Sequence, residues 1–133
     1  MYPAADLRQQ ALNTVAVENP RGFRIAKDKA SKKIDAIVAL AMACCVAIER
    51  GKGPGLFVGV DAGIKHDTAA VVAVYWDKQT DKLCLAQHKI WQPTPENPLD
   101  IEETIEWYLR QLYSRSSTEF CQEITVLSNM RNW

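Results

Sequence analysis

A chain of 133 residues has room for one small domain around one core. Lys plus Arg balances Asp plus Glu at 16 each, which removes any global pull toward nucleic acid, and 47% apolar residues exclude a disordered polar tail. The longest apolar run, residues 36–48, is shorter than the roughly 20 residues of a membrane span, and no signal peptide precedes the first polar segment, so a cytoplasmic protein without a membrane partner is expected.

Residues 6–18 hold Leu7, Ala11, Leu12, Val15 and Ala16 at near-helical spacing, which predicts a first helix ended by Asn19-Pro20. A basic stretch follows, carrying Arg21, Arg24, Lys27, Lys29, Lys32 and Lys33. Ser31 is a candidate cap for a second helix over 32–50, whose alanines at 36, 39, 41, 43 and 47 would let it pack closely. Gly51-Lys52-Gly53-Pro54-Gly55 breaks that helix and is the one clear joint in the sequence.

Beyond the joint, Val-, Leu- and Ile-rich runs at 56–61, 69–76 and 83–91 predict three strands, and the short polar turns between them favour an antiparallel meander. A loop with Pro93, Pro95 and Pro98 leads to a helix over 100–113, with Ile101, Ile105, Tyr108, Leu109 and Leu112 on one face. Residues 124–127 read as a fourth strand. The fold class is therefore α/β. Cys44, Cys45, Cys84 and Cys121 show no CxxC pair or ligand spacing with His, so they read as buried thiols. Trp76, Trp91 and Trp107 fit core or edge packing better than base stacking, and His88 reads as structural.

Strand, strand, strand, helix, strand, with an aspartate closing the first, is the opening order of a ribonuclease H-like sheet. Asp61 follows the apolar run Leu56-Phe57-Val58-Gly59-Val60, so its carboxylate would stand on a rigid central strand, with Gly63 leaving room for a phosphate or metal. Two-metal phosphodiester cleavage needs several carboxylates around ions about 4 Å apart, and one aspartate is too few. Each candidate has an ordinary structural explanation too. Asp61 is well placed to start a turn, Asp35 to meet a helix dipole, and Asp67 with His66 to form an Asx-type turn.

The stretch Phe57-Val58-Gly59-Val60-Asp61-Ala62-Gly63-Ile64-Lys65-His66-Asp67-Thr68-Ala69-Ala70 resembles the start of the nuclease domain of terminase large subunits from tailed phages. His88-Lys89-Ile90-Trp91-Gln92-Pro93 is similar to that family's third strand and exit loop, and residues 99–112 to its first helix. Arg21-Gly22-Phe23-Arg24-Ile25, with Lys27, Lys29 and Lys32-Lys33-Ile34-Asp35-Ala36-Ile37-Val38-Ala39-Leu40-Ala41-Met42-Ala43, resembles the family's C-terminal signature, whose aspartate is the last metal ligand.

The resemblance implies a ribonuclease H-like mixed sheet, an antiparallel three-strand meander plus a parallel strand, with packed helices. The segments stand in permuted order. Residues 1–50 match the family's late segment, 51–55 are the joint, and 56–133 match its early segment, all within one domain. The family's middle portion is missing. Ser128-Asn129 stands where another acidic ligand belongs, and the nearest acids are Glu119 and Glu123. The implied activity is divalent-metal-dependent cleavage of concatemeric double-stranded DNA during packaging. Asp61 and Asp35 would be the catalytic metal ligands, Asp67 a further ligand, and Mg2+ or Mn2+ the cofactor. Arg21, Arg24, Lys27, Lys29, Lys32 and Lys33 would meet DNA phosphates. The implied partners are double-stranded DNA and a terminase small subunit, a portal or a complementary large-subunit segment.

No GxxxxGK[ST] loop is present, so the packaging motor's ATPase is not represented. A non-catalytic remnant that binds DNA or a partner is the alternative of a different class. Val60-Asp61-Ala62-Gly63 also resembles the first phosphate loop of actin-like and sugar-kinase ATPases, but no second Asp-x-Gly motif or glycine-rich adenosine motif accompanies it.

Overall fold

The computed structural model describes residues 4–29, 31–51, 55–62, 68–98, 100, 102–112 and 124–128. It is an α/β arrangement built on a sheet of order β5-β4-β3-β6, where β3 is Leu56–Ala62, β4 Ala69–Asp77, β5 Lys82–Trp91 and β6 Ile124–Ser128. The expected antiparallel meander is present: β3 pairs with β4 and β4 with β5. On the other side β6 runs parallel to β3, with Leu56 opposite Ile124 and Val60 opposite Ser128.

Strand alternation assigns the two faces of this sheet. Phe57, Ala70, Val72 and Val74 point toward helix α2 (Asp35–Arg50) and helix α1 (Ala5–Leu12). Val58, Val60, Ala69, Val71 and Ala73 point the other way, under a helix over residues 102–112, α3, which supplies Ile105, Tyr108 and Leu112. A π-helical turn, Glu102–Glu106, opens α3. Trp91 packs its ring edge-on to Tyr108 at 5.5 Å between centroids. The fully buried valines are the main hydrophobic capital of the domain, each worth about 1.5–3 kcal/mol against exposure.

Helix α2 lies unusually close to the sheet. Its inward face is Ala36, Ala39, Ala43, Val46 and Ala47, so little side chain separates its backbone from β3. A Cβ on Gly59 would stand 1.8 Å from the Ala39 carbonyl oxygen. Glycine at this position is what lets α2 approach. At the far end of the helix, the Trp76 indole N–H donates to the Ala47 carbonyl at 3.3 Å.

Several expectations need correction. The first helix ends at Leu12, six residues earlier than its apolar spacing suggested, and β1 (Thr14–Asn19) pairs antiparallel with β2 (Gly22–Lys27) as a separate two-stranded ribbon. The alternation of Thr14, Val15, Ala16 and Val17 suits an extended chain, and Asn19-Pro20-Arg21-Gly22 turns it back. Proline sets φ at the second turn position, the Arg21 N–H donates to Asn19 Oδ1 at 2.8 Å, and Gly22 takes φ 126°. Helix α2 begins at Asp35, with Ile34 before it, so Ser31 does not cap it and Lys32 and Lys33 precede it. The N–H of Ala36 instead donates to Gln10 Oε1, a buried side chain from α1, at 2.8 Å. Cys45 is exposed and Cys44 and Cys84 are half-buried, against the expectation of buried thiols, because all three sit on a helix flank or an edge strand. Cys121 lies outside the described residues. Trp107 is exposed on α3, whose buried stripe passes through Ile105 and Tyr108 instead.

His88 joins the edge strand β5 to α1, its Nε2 lying 2.6 Å from Asp6 Oδ1. Partial burial pushes the Asp6 carboxyl up, but the His88 contact and the Leu7 N–H at 2.8 Å outweigh it and hold the pKa below its ordinary value. A depressed carboxylate stabilises the fold above its unfolded pKa of about 3.9, and that contribution is lost as pH falls through the folded value. Asp6→Asn is therefore expected to lower the melting temperature slightly at neutral pH and to flatten its decline between about pH 5 and 2. Parallel melting curves for the two proteins across that range would contradict this assignment.

Candidate functional site

Asp61 lies one residue before the end of β3 and is buried. It shares the strand parity of Phe57 and Gly59, so its side chain stands on the α2 side of the sheet, opposite Ala70 of β4. Asp35 is the first residue of α2, in the turn where a negative charge meets the positive end of the helix dipole. The two helix-side strands and the start of α2 therefore meet at one end of the sheet.

Thr68 ties the start of α2 to the start of β4. It is buried just before β4, on the same face as Ala70, and its hydroxyl donates to Asp35 Oδ2. Continuing the register one residue beyond the Ala62–Ala69 pair makes Thr68 the diagonal neighbour of Asp61, a relation that puts such residues roughly 7–8 Å apart. The Asp35 carboxylate is thus tied to a residue one diagonal step from Asp61. Two carboxylates offer hard oxygen ligands, the donor chemistry that Mg2+ and Mn2+ prefer.

The start of α2 is held from the other side by α1 and its exit. Besides the Gln10 contact to Ala36, Asn13 Nδ2 donates to the Lys33 carbonyl at 3.2 Å, and the Asp28 N–H donates to the Asn13 carbonyl at 2.8 Å. These bonds seat the base of the β1–β2 ribbon beside Asp35. The sequence singled out neither Thr68 nor Gln10 for a role. Thr68 lies inside the strand-turn-strand stretch from Phe57 to Ala70, where its residue type alone marks no role, and a long-range partner for Gln10 leaves no periodic trace.

The six basic residues divide into two sets. Arg21 stands at the turn of the ribbon, and Arg24 and Lys27 lie on β2, all exposed. Lys29 and Lys32 are exposed on the connection to α2, where the Lys32 N–H donates to the Lys29 carbonyl at 2.9 Å, and Lys33 is half-buried next to Ile34. Every one of them falls within the segment that runs from the ribbon's turn to the base of α2. Asp67 and His66 lie outside the described residues, as do Glu119 and Glu123. Among the described residues no group of three or more His, Cys, Asp or Glu side chains gathers as a metal site, and no helix is long and apolar enough to cross a membrane. Comparison with family models, with curated proteins and with solved structures gave no match.

Proposed function

We propose that the chain is a metal-dependent DNA endonuclease of ribonuclease H-like type, similar to the nuclease portion of a phage terminase large subunit with its segments in permuted order. The observation that carries this reading is the tie between Thr68 and Asp35 at the sheet end where Asp61 stands on the same face. Asp61 comes from the early segment of the resemblance and Asp35 from the late one. A permuted chain that still performs this chemistry must bring those two residues together.

In this reading Asp61 and Asp35 would hold Mg2+ or Mn2+, with Asp67 as a further ligand. When bound, such ions would supply Lewis-acid activation of water and stabilisation of the leaving oxygen of the phosphodiester. The chain's own contribution is to fix the carboxylates. Asp61 is fixed by its strand, and Asp35 by the Thr68 hydroxyl and the Gln10-capped helix start. The duplex is held by the basic segment from Arg21 to Lys33, and a terminase small subunit, a portal or a complementary large-subunit segment would assemble with the chain.

Relaxation of supercoiled plasmid tests the proposal. Nicking is expected in Mg2+ or Mn2+, is expected to stop when the ion is chelated, and should return when Mn2+ is restored. A chain that binds duplex without any metal-dependent nicking would leave the non-catalytic binding remnant as the better account.

A further inference from the structure

The β1–β2 ribbon combines two features that a structural hairpin does not need. Two-stranded ribbons are marginal by themselves and gain stability by burying an apolar face. Here large apolar side chains are left in solvent: Phe23 is 75% exposed and Ile25 43%, on the same side of the ribbon as Glu18 and Lys27. Arg24 stands on the opposite side, and Arg21 beside Pro20 at the turn. Between residues 14 and 33 there are six cations against Glu18 and Asp28, in a chain whose overall charge is zero. Glu18 is the cross-strand neighbour of Phe23, but the segment as a whole carries excess positive charge, and an exposed aromatic on such a segment is complementary to a polyanion with stackable rings.

From this arrangement we infer that the ribbon is a groove-entering arm that wedges the Phe23 ring against a base step of duplex DNA, while Arg21, Arg24 and Lys27 hold the flanking phosphates. A β-ribbon is narrow enough to lie in a DNA groove, and apolar side chains are a recurrent means of unstacking a step from such a position. The inference rests on the reading that the chain acts on double-stranded DNA, and it adds a mode of engagement. Because the base of the ribbon is bonded to the start of α2, a duplex gripped there lies beside Asp35 and has one step locally opened.

Phe23 and Arg24 act through different physics, and this separates them in one experiment. The full chain is titrated in chelator, so that no cutting intervenes, onto a short duplex carrying 2-aminopurine. Anisotropy and 2-aminopurine emission are followed over about 50–200 mM salt. The wild-type chain is expected to bind and to raise the emission as the probe unstacks. Phe23→Ala should bind roughly tenfold more weakly and lose the emission rise while keeping the salt dependence. Arg24→Ala should lower the log–log salt slope by about 0.9 and keep the emission rise at saturation. Both side chains are exposed, so neither variant should unfold, and circular dichroism checks that. Phe23→Ala matching wild type in affinity and emission would overturn the inference. Failure of the wild-type chain to bind duplex would also overturn it. Binding with unstacking but no metal-dependent nicking would sink the nuclease reading alone, and nicking without unstacking would sink the wedge alone.

Discussion

Gly59→Ala is expected to destabilise the protein by about 3 kcal/mol or more, enough to lower the melting temperature by roughly 10 °C. The new methyl group would sit 1.8 Å from the Ala39 carbonyl oxygen, 2.7 Å from the Ala39 carbonyl carbon and 3.0 Å from the Ala43 nitrogen. These are helix backbone atoms, with no rotamer to escape into. Relief requires α2 to lift from β3, which would open the packing of Ala36, Ala43 and Ala47 against the sheet and move Asp35 with the helix. Domains of this size hold only about 5–15 kcal/mol in total, so the loss is a large share. Thermal or urea unfolding measures it. A variant as stable as the wild type would mean that α2 does not approach β3 this closely.

The second large effect concerns the carboxylates. On the proposed reading, Asp61→Asn should reduce metal-dependent nicking by about a thousandfold or more, since the amide keeps the shape of the side chain and removes the charge that would bind the ion. Asp35→Asn should do the same. Combining the two should cost little beyond either alone, because residues that act as one unit lose their function together. Thr68→Val removes the hydroxyl that orients Asp35 and leaves both charges in place, so an intermediate loss is expected, partly recovered by raising the Mn2+ concentration. Equal nicking by the wild type and Asp61→Asn, with matched melting temperatures, would remove Asp61 from the chemistry.

Much of the main sheet was legible in the sequence, for a simple reason. Residues 56–61, 69–76 and 83–91 are apolar runs separated by polar turns too short for a crossover, and these constraints admit little besides a meander. Alternation along β3 then places Asp61 on the side of Phe57 and Gly59. The ribbon was not legible. Leu7, Ala11, Leu12, Val15 and Ala16 fall on one helical face by coincidence of spacing, and the turn residues Asn19 and Pro20 end a helix as readily as they reverse a hairpin. Only the pairing of Thr14–Asn19 with Gly22–Lys27 resolves the ambiguity.

The start of α2 shows the limit from another side. Ser31 is the residue that local capping rules select, yet Gln10, twenty-six positions away from Ala36, takes the helix N–H. Thr68 and Asp35 are separated by thirty-three positions. Such contacts follow from which layers stack on which, and neither periodicity nor turn chemistry encodes them. The resemblance supplied Asp35 and Asp61 as residues of interest, and the Thr68 bond ties Asp35 to the start of the strand that pairs with the Asp61 strand.

The most direct test is a crystal soaked in Mn2+, examined for anomalous density at the end of β3. One ion bound by carboxylate oxygens of both Asp61 and Asp35, at about 2.1 Å, is the expected result. Carboxyl groups held more than about 10 Å apart, with any bound ion touching neither or only one, would contradict it.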